Sequence, residues 1–136
     1  MAVQVEELLP RVIRVVQEAG YSKVVWQCDP MHGNTTTSEQ GLKTRAFDNI
    51  LAELLATFRI HRELGSWLGG VHFEMTGEAV TECTGGAAKL SPQGLSKNYQ
   101  TYCDPRLNYD QSLEMAFAIA KHLLKAREPS TPSRGL

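Results

Sequence analysis

The chain has 136 residues, with 14 Lys plus Arg against 15 Asp plus Glu, for a formal net charge of −1. That length suits one modest domain, and the charge balance gives no reason to expect nucleic acid or an anionic membrane as partner. No apolar run nears the roughly 20 residues of a membrane span, and three Cys without a CxxC pair speak against a disulfide framework or a zinc ribbon, so a reducing cytoplasm is the simplest setting.

In chain order, Val5, Leu8, Leu9, Val12, Val16 and Ala19 recur at helical spacing before Gly20, and Pro10 predicts a late helix start with proline near the first position. The β-branched and aromatic KVVWQC (23–28) predicts a strand, and DPMHGNTTTSEQG (29–41) a loop of turn formers. Phe47, Ile50, Leu51, Leu54, Phe58 and His61 predict a second helix stopped at Gly65. GGVHFEMTG (69–77) reads as a second strand, 78–98 as a long connection with room for one short helix, and YQTYC (99–103) as a third strand. From Asp110, the stripe Leu113, Ala116, Phe117, Ala120, Leu123 and Leu124 predicts a third helix, and EPSTPSRGL (128–136) a disordered tail. Strands alternating with helices imply an α/β fold with parallel strands.

Cys-Asp-Pro occurs twice, at 28–30 and 103–105, each time behind a predicted strand and followed by an Asn. Both copies are expected at strand C-terminal ends, the edge where α/β folds bind ligands. The same edge would receive Asp29, His32, His72, Glu74, Asp104 and Arg106. Imidazole and carboxylates converging there suit manganese, iron(II), cobalt or zinc better than calcium, with Cys28 or Cys103 able to add sulfur. Each residue also has a plainer reading. His32 sits among turn formers, Asp29 and Asp104 suit Asx turns, the cysteines suit buried thiols, and Trp26 and Trp67 suit packing. Glu74, ending an apolar run, is costly to bury unless it is paired or coordinating. Lys43 and Arg45, at an expected loop-to-helix boundary, either favour an anion such as phosphate or form a solvated pair of cations.

WQCDPMHGNT, GLKTRAFD, GGVHFEMTGEAVTEC and CDPRLN with QSLE, in that order and spacing, resemble type II 3-deoxy-D-arabino-heptulosonate 7-phosphate (DAHP) synthase, from about Leu8 to Ala126. The resemblance implies a (β/α)8 TIM barrel that condenses phosphoenolpyruvate with erythrose 4-phosphate, opening the shikimate route to aromatic amino acids. It implies a divalent metal, Mn2+ or Co2+ first and Zn2+ or Fe2+ next, held by one Cys, one His, one Glu and one Asp. His32, Glu74 and Asp104 match three of those ligand motifs. By the same resemblance Lys43 is an active-site lysine. Lys43, Arg45 and Arg106 are expected to bind substrate, and the chemistry asks for an acid or base near the metal, a role open to His72 or Glu78.

The departure is the family's metal-binding Cys and its upstream Arg and Lys residues for phosphoenolpyruvate, which have no counterpart here. A full barrel typically takes about 250 residues. Residues 1–127 are therefore expected to form about the last three β/α units, with 128–136 as a tail. Three possibilities stand beside each other: a piece of the enzyme completed by an N-terminal chain or by self-association, a non-catalytic truncated chain, and a separate metal-dependent hydrolase or aldolase. The expected compartment is the cytoplasm, or a plastid for a plant-type parent, with no transit peptide visible.

Overall fold

The computed structural model describes residues 2–127, so the predicted tail lies outside the described residues. Three helices, α1 (Ala2–Glu18), α2 (Phe47–Glu63) and α3 (Tyr109–Arg127), surround four short strands: β1 (Val25–Cys28), β2 (Thr35–Thr37), β3 (Lys43–Arg45) and β4 (Trp67–Val71). β1 and β4 pair in parallel across α2, as the alternation requires, while β2 and β3 form an antiparallel hairpin.

α2 follows its pattern. Phe47, Ile50, Leu54 and His61 are buried, and Leu51 and Phe58 pack against the same core. Gly65 takes φ 64° just past the helix, where a side chain would be strained, and the Ser66 N–H bonds the His61 carbonyl at 3.0 Å. The core joins α2 to Cys28, Met31, Cys83, Leu107 and Met115. Full burial of one such Leu or Met side chain contributes roughly 1.5–3 kcal/mol.

Several elements differ from expectation. Pro10 lies inside α1, which is already helical from Ala2. Among the described side chains of that helix Ile13 is fully buried, while Leu8 and Val12 stay half exposed, so the packed face is rotated from the expected stripe. α3 shows the same offset: its buried positions are Gln111 and Met115, whereas Leu113, Phe117, Leu123 and Leu124 are exposed. Gln111 takes the inner face because its amide donates to the Cys83 and Gly85 carbonyls and its oxygen accepts the Asn108 N–H. Asn108 in turn accepts the Gln111 N–H at 2.9 Å, a reciprocal cap that starts the helix.

The segment expected as a plain loop contains the β2–β3 hairpin, with a one-turn 3-10 helix (His32–Asn34) before it. Lys43 and Arg45 therefore lie on a strand and not in a loop. Strand alternation turns both cations to one face and Thr44 to the other, where its hydroxyl donates to the Glu82 carbonyl at 2.8 Å. The first N–H of α2, on Phe47, is already taken by the Thr84 carbonyl at 2.9 Å, so the helix start does not offer that donor to an anion. β4 begins at Trp67 and ends at Val71, so Glu74 lies beyond it. Gly69 is needed there, since a Cβ would lie 2.3 Å from a Val25 methyl.

The third predicted strand does not form. Residues 99–103 have no strand partner, and the next parallel contact joins Met75 to Leu107, after the second Cys-Asp-Pro instead of before it. The N–H groups of Gln100 and Thr101 go to the Glu82 carboxylate, and that of Cys103 to the Thr101 hydroxyl. Side-chain acceptors have replaced the sheet ladder. The short helix allowed in the long connection appears as a 3-10 helix, Pro92–Lys97.

Candidate functional site

The first Cys-Asp-Pro ends β1, and its Asp29 holds the turn that follows. One carboxylate oxygen accepts the N–H groups of Met31 and His32 at 3.0 and 3.2 Å. The other lies 2.7 Å from His32 Nδ1. Asn34 ties the same turn to α2 by donating to the Pro30 carbonyl and to Glu53. His32 is thereby presented, half exposed, with Nε2 at 3.7 Å from Glu74.

Glu74 comes from the chain leaving β4, anchored on both sides by backbone bonds: His72 N–H to the Cys28 carbonyl, and Leu107 N–H to the Glu74 carbonyl. Its carboxylate pairs with Arg45, whose guanidinium is fully buried and also donates to the Pro105 carbonyl and to the Thr35 hydroxyl. Asp104 completes the group from the second Cys-Asp-Pro, with Lys43 Nζ at 3.2 Å. Ligand atoms of His32, Glu74 and Asp104 lie within 4.8 Å of one another; Asp29, His32 and His72 form a second, more exposed trio by the same measure.

Hydrogen bonds and nearby charge lower the carboxyls of Asp104 and Asp29. The Lys43 hydrogen bond outweighs the desolvation that raises it and, with the charges of Lys43, Arg45 and His32, holds the Asp104 carboxyl below its ordinary value. Burial pushes Asp29 up, but the bonds from the His32 and Met31 N–H groups and from the His32 ring outweigh it, so Asp29 also titrates low. An imidazole nitrogen and two carboxylates, with two cations behind them, make a donor set suited to a transition-series divalent cation.

The structure therefore brings together His32, Glu74, Asp104, Lys43, Arg45 and His72. His72 is exposed, its ring stacked beside that of His32 at 5.9 Å. Arg45 faces Glu74 from within the protein and pairs with its carboxylate, while its Nη2 is buried without a hydrogen-bond partner. Arg106 points elsewhere: its Nε and Nη2 meet the buried Glu82 at 2.9 and 2.7 Å. Neither Cys28 nor Cys103 joins the group. Cys28 is buried with its sulfur on the Thr57 hydroxyl, and Cys103 is exposed beside Thr101, against the expectation of three buried thiols. Burial pushes the Cys83 thiol up to about 12, away from thiolate chemistry. Trp67, expected to pack, is largely exposed.

Glu82 is the residue that sequence reading passed over. Fully buried, it accepts the Arg106, Gln100 and Thr101 N–H groups and the Arg106 fork, and so shapes the whole segment that carries Asp104. Its sequence signal is weak, an acid in the mixed stretch Val80-Thr81-Glu82-Cys83-Thr84, unlike Glu74, which ends an apolar run.

Comparison with known proteins agrees with the motifs. Over 132 residues, 96% of this chain, the sequence is 52% identical to the phospho-2-dehydro-3-deoxyheptonate aldolase of Neurospora crassa, and that match covers 27% of the fungal protein. It is 53% identical over 120 residues to phospho-2-dehydro-3-deoxyheptonate aldolase AroG of Mycolicibacterium smegmatis, covering 88% of this chain and 26% of that one. The chain thus spans about a quarter of the length of the curated relatives it matches. The Class-II DAHP synthetase family profile matches residues 1–120, and the chain belongs to that family.

Proposed function

We propose that this chain carries the cation-holding part of a DAHP synthase active site, serving the condensation of phosphoenolpyruvate with erythrose 4-phosphate to DAHP and phosphate. The observation behind it is the convergence of His32, Glu74 and Asp104, from three separate segments, to within 4.8 Å. In this reading the α/β unit is about the last three β/α units of a (β/α)8 barrel. Its remaining ligand, a cysteine, and the phosphoenolpyruvate cations come from sequence that this chain does not match. A complementing N-terminal chain would supply the missing wall and ligand; self-association would add a wall but no copy of the missing cysteine motif. The compartment that fits is the cytoplasm or a plastid, and no helix among the described residues is long and apolar enough to cross a membrane.

His32, Glu74 and Asp104 would hold the cation, Mn2+ or Co2+ by preference and Zn2+ or Fe2+ next. When bound, it supplies Lewis-acid polarisation of the aldehyde oxygen of erythrose 4-phosphate. The chain's own groups do the remainder. Lys43, half exposed beside Asp104, offers its ammonium to a substrate phosphate or carbonyl oxygen. Arg45 pairs with Glu74 and holds it at its post. His72, exposed next to His32, is placed to move a proton at the open face of the site. Arg106 can reach substrate only with the N–H groups that Glu82 leaves free.

The test is release of inorganic phosphate from phosphoenolpyruvate, dependent on erythrose 4-phosphate and Mn2+. The 136-residue chain is assayed alone and with the complementary N-terminal portion of a relative. Alone it is expected to be inactive, because three ligands without a phosphate site orient neither substrate. Turnover should appear with the complement and disappear on Glu74→Gln. A complemented enzyme indifferent to Glu74→Gln contradicts the assignment; robust turnover by the chain alone contradicts the division of the site.

A further inference from the structure

His32 belongs to both donor trios but cannot serve both through one nitrogen. Its Nδ1 faces Asp29 at 2.7 Å, and its Nε2 faces Glu74 at 3.7 Å, with Asp104 beyond. The Asp29 carboxylate is an acceptor only, and its other oxygen is spent on two backbone N–H groups of the turn. A neutral imidazole has one N–H. For the Nδ1 contact to be a hydrogen bond, that hydrogen must sit on Nδ1, which leaves the Nε2 lone pair directed at the two acids.

We propose that Asp29 is a positioning residue for the cation site: it fixes the tautomer and the ring plane of His32, and is not itself a ligand. This rests on the metal-holding reading above. The stack of His72 on His32, with ring planes 23° apart, limits the same ring from its other side. A carboxylate behind a ligating histidine orients the ring and raises its basicity, and loss of such an outer contact typically costs about 10- to 100-fold in metal affinity.

Two substitutions separate the ring contact from the turn cap. Asp29→Asn keeps the shape and an oxygen for the cap, but turns an NH2 donor toward Nδ1. Nδ1 must then accept, the ring hydrogen moves to Nε2, and that atom can no longer ligate. Asp29→Ser can cap the turn but is too short to reach the ring, leaving the tautomer unbiased. Histidine-ring nitrogen NMR on the metal-free chain, at a pH where imidazole is neutral, should show Nδ1–H at His32 in the wild type, Nε2–H in Asp29→Asn and a mixture in Asp29→Ser. Cobalt(II) titration should show about 10- to 100-fold weaker binding in Asp29→Asn and a smaller loss in Asp29→Ser. Wild-type tautomer and affinity in Asp29→Asn would overturn the proposal. So would an equal loss in both variants, which would make the turn cap the cause. Cobalt binding indifferent to His32→Ala would instead remove the metal-holding reading, and the proposal would fall through that foundation while the tautomer itself was still measured.

Discussion

The two Cys-Asp-Pro turns share a tripeptide and divide its labour in opposite ways. In the first, Asp29 spends both carboxylate oxygens on its own turn and on His32, and the histidine three residues later faces the site. In the second, the turn is shaped from outside. Thr101 donates to the Asp104 carbonyl at 2.8 Å, and Glu82 takes the neighbouring N–H groups. The Asp104 carboxylate is thereby left for Lys43 and the site. An acid in a turn acts as a site residue only when something else satisfies the turn's backbone. The first turn is self-sufficient; the second depends on a buried glutamate far away in sequence.

Arg45 touches the surroundings of both turns, through Thr35 on one side and the Pro105 carbonyl on the other, with Glu74 between. Arg45→Met should therefore have the largest effect on folding. Breaking a buried pair leaves Glu74 without its counter-charge and costs on the order of 3 kcal/mol, read from urea unfolding. A loss much smaller than this would mean that the two turns are held independently.

Glu82→Gln should disturb only the second turn, at about 2 kcal/mol for weakened charge-assisted bonds. It also carries a pH signature. Burial raises the Glu82 carboxyl, but the Arg106 side-chain and backbone bonds, its charge and the Gln100 N–H outweigh this and hold it below its ordinary value. A carboxyl with a lowered folded pKa stabilises the protein above its unfolded value, about 4.3, and that contribution is lost as pH falls through the folded one. Wild-type stability should thus decline on acidification more steeply than that of Glu82→Gln, while the His32 ring signals stay unchanged in the variant. Parallel acid limbs would remove Glu82 as the organiser of the second turn.

The smallest effect expected is from Tyr99→Phe. It deletes the hydroxyl that donates to the Lys43 carbonyl at 2.8 Å, a partly solvated tether between the second turn and β3. The cost should be below about 1 kcal/mol. A larger loss would show that the second turn leans on β3 as heavily as on Glu82.

What could be read from the sequence follows the reach of each interaction. α2 was legible because its apolar period, its start at Phe47 and its stop at Gly65 are all local. α3 was legible in period but not in phase: Gln111 occupies the inner face through bonds to carbonyls at Cys83 and Gly85, and no hydropathy pattern marks a glutamine as buried. Residues 99–103 have the aromatic and Thr content of a strand, yet the Glu82 carboxylate claims their N–H groups first. The three proposed ligands stood out in the sequence through the family motifs; strand-end position marked only the turn that carries His32, since Glu74 lies past β4 and the strand expected before Asp104 does not form. Their supports, Arg45 behind Glu74 and Glu82 behind Asp104, did not, since each is defined by a partner distant in sequence.

Whether His32, Glu74 and Asp104 form one cation site is read from calorimetric titration of the metal-free 136-residue chain with Mn2+ and Co2+, alongside His32→Ala, Glu74→Gln and Asp104→Asn. Saturable binding of a single cation is expected, weakened in each variant by more than the roughly 10- to 100-fold typical of an outer contact. Saturable binding that survives all three substitutions, or none in a folded wild-type chain, would contradict that assignment.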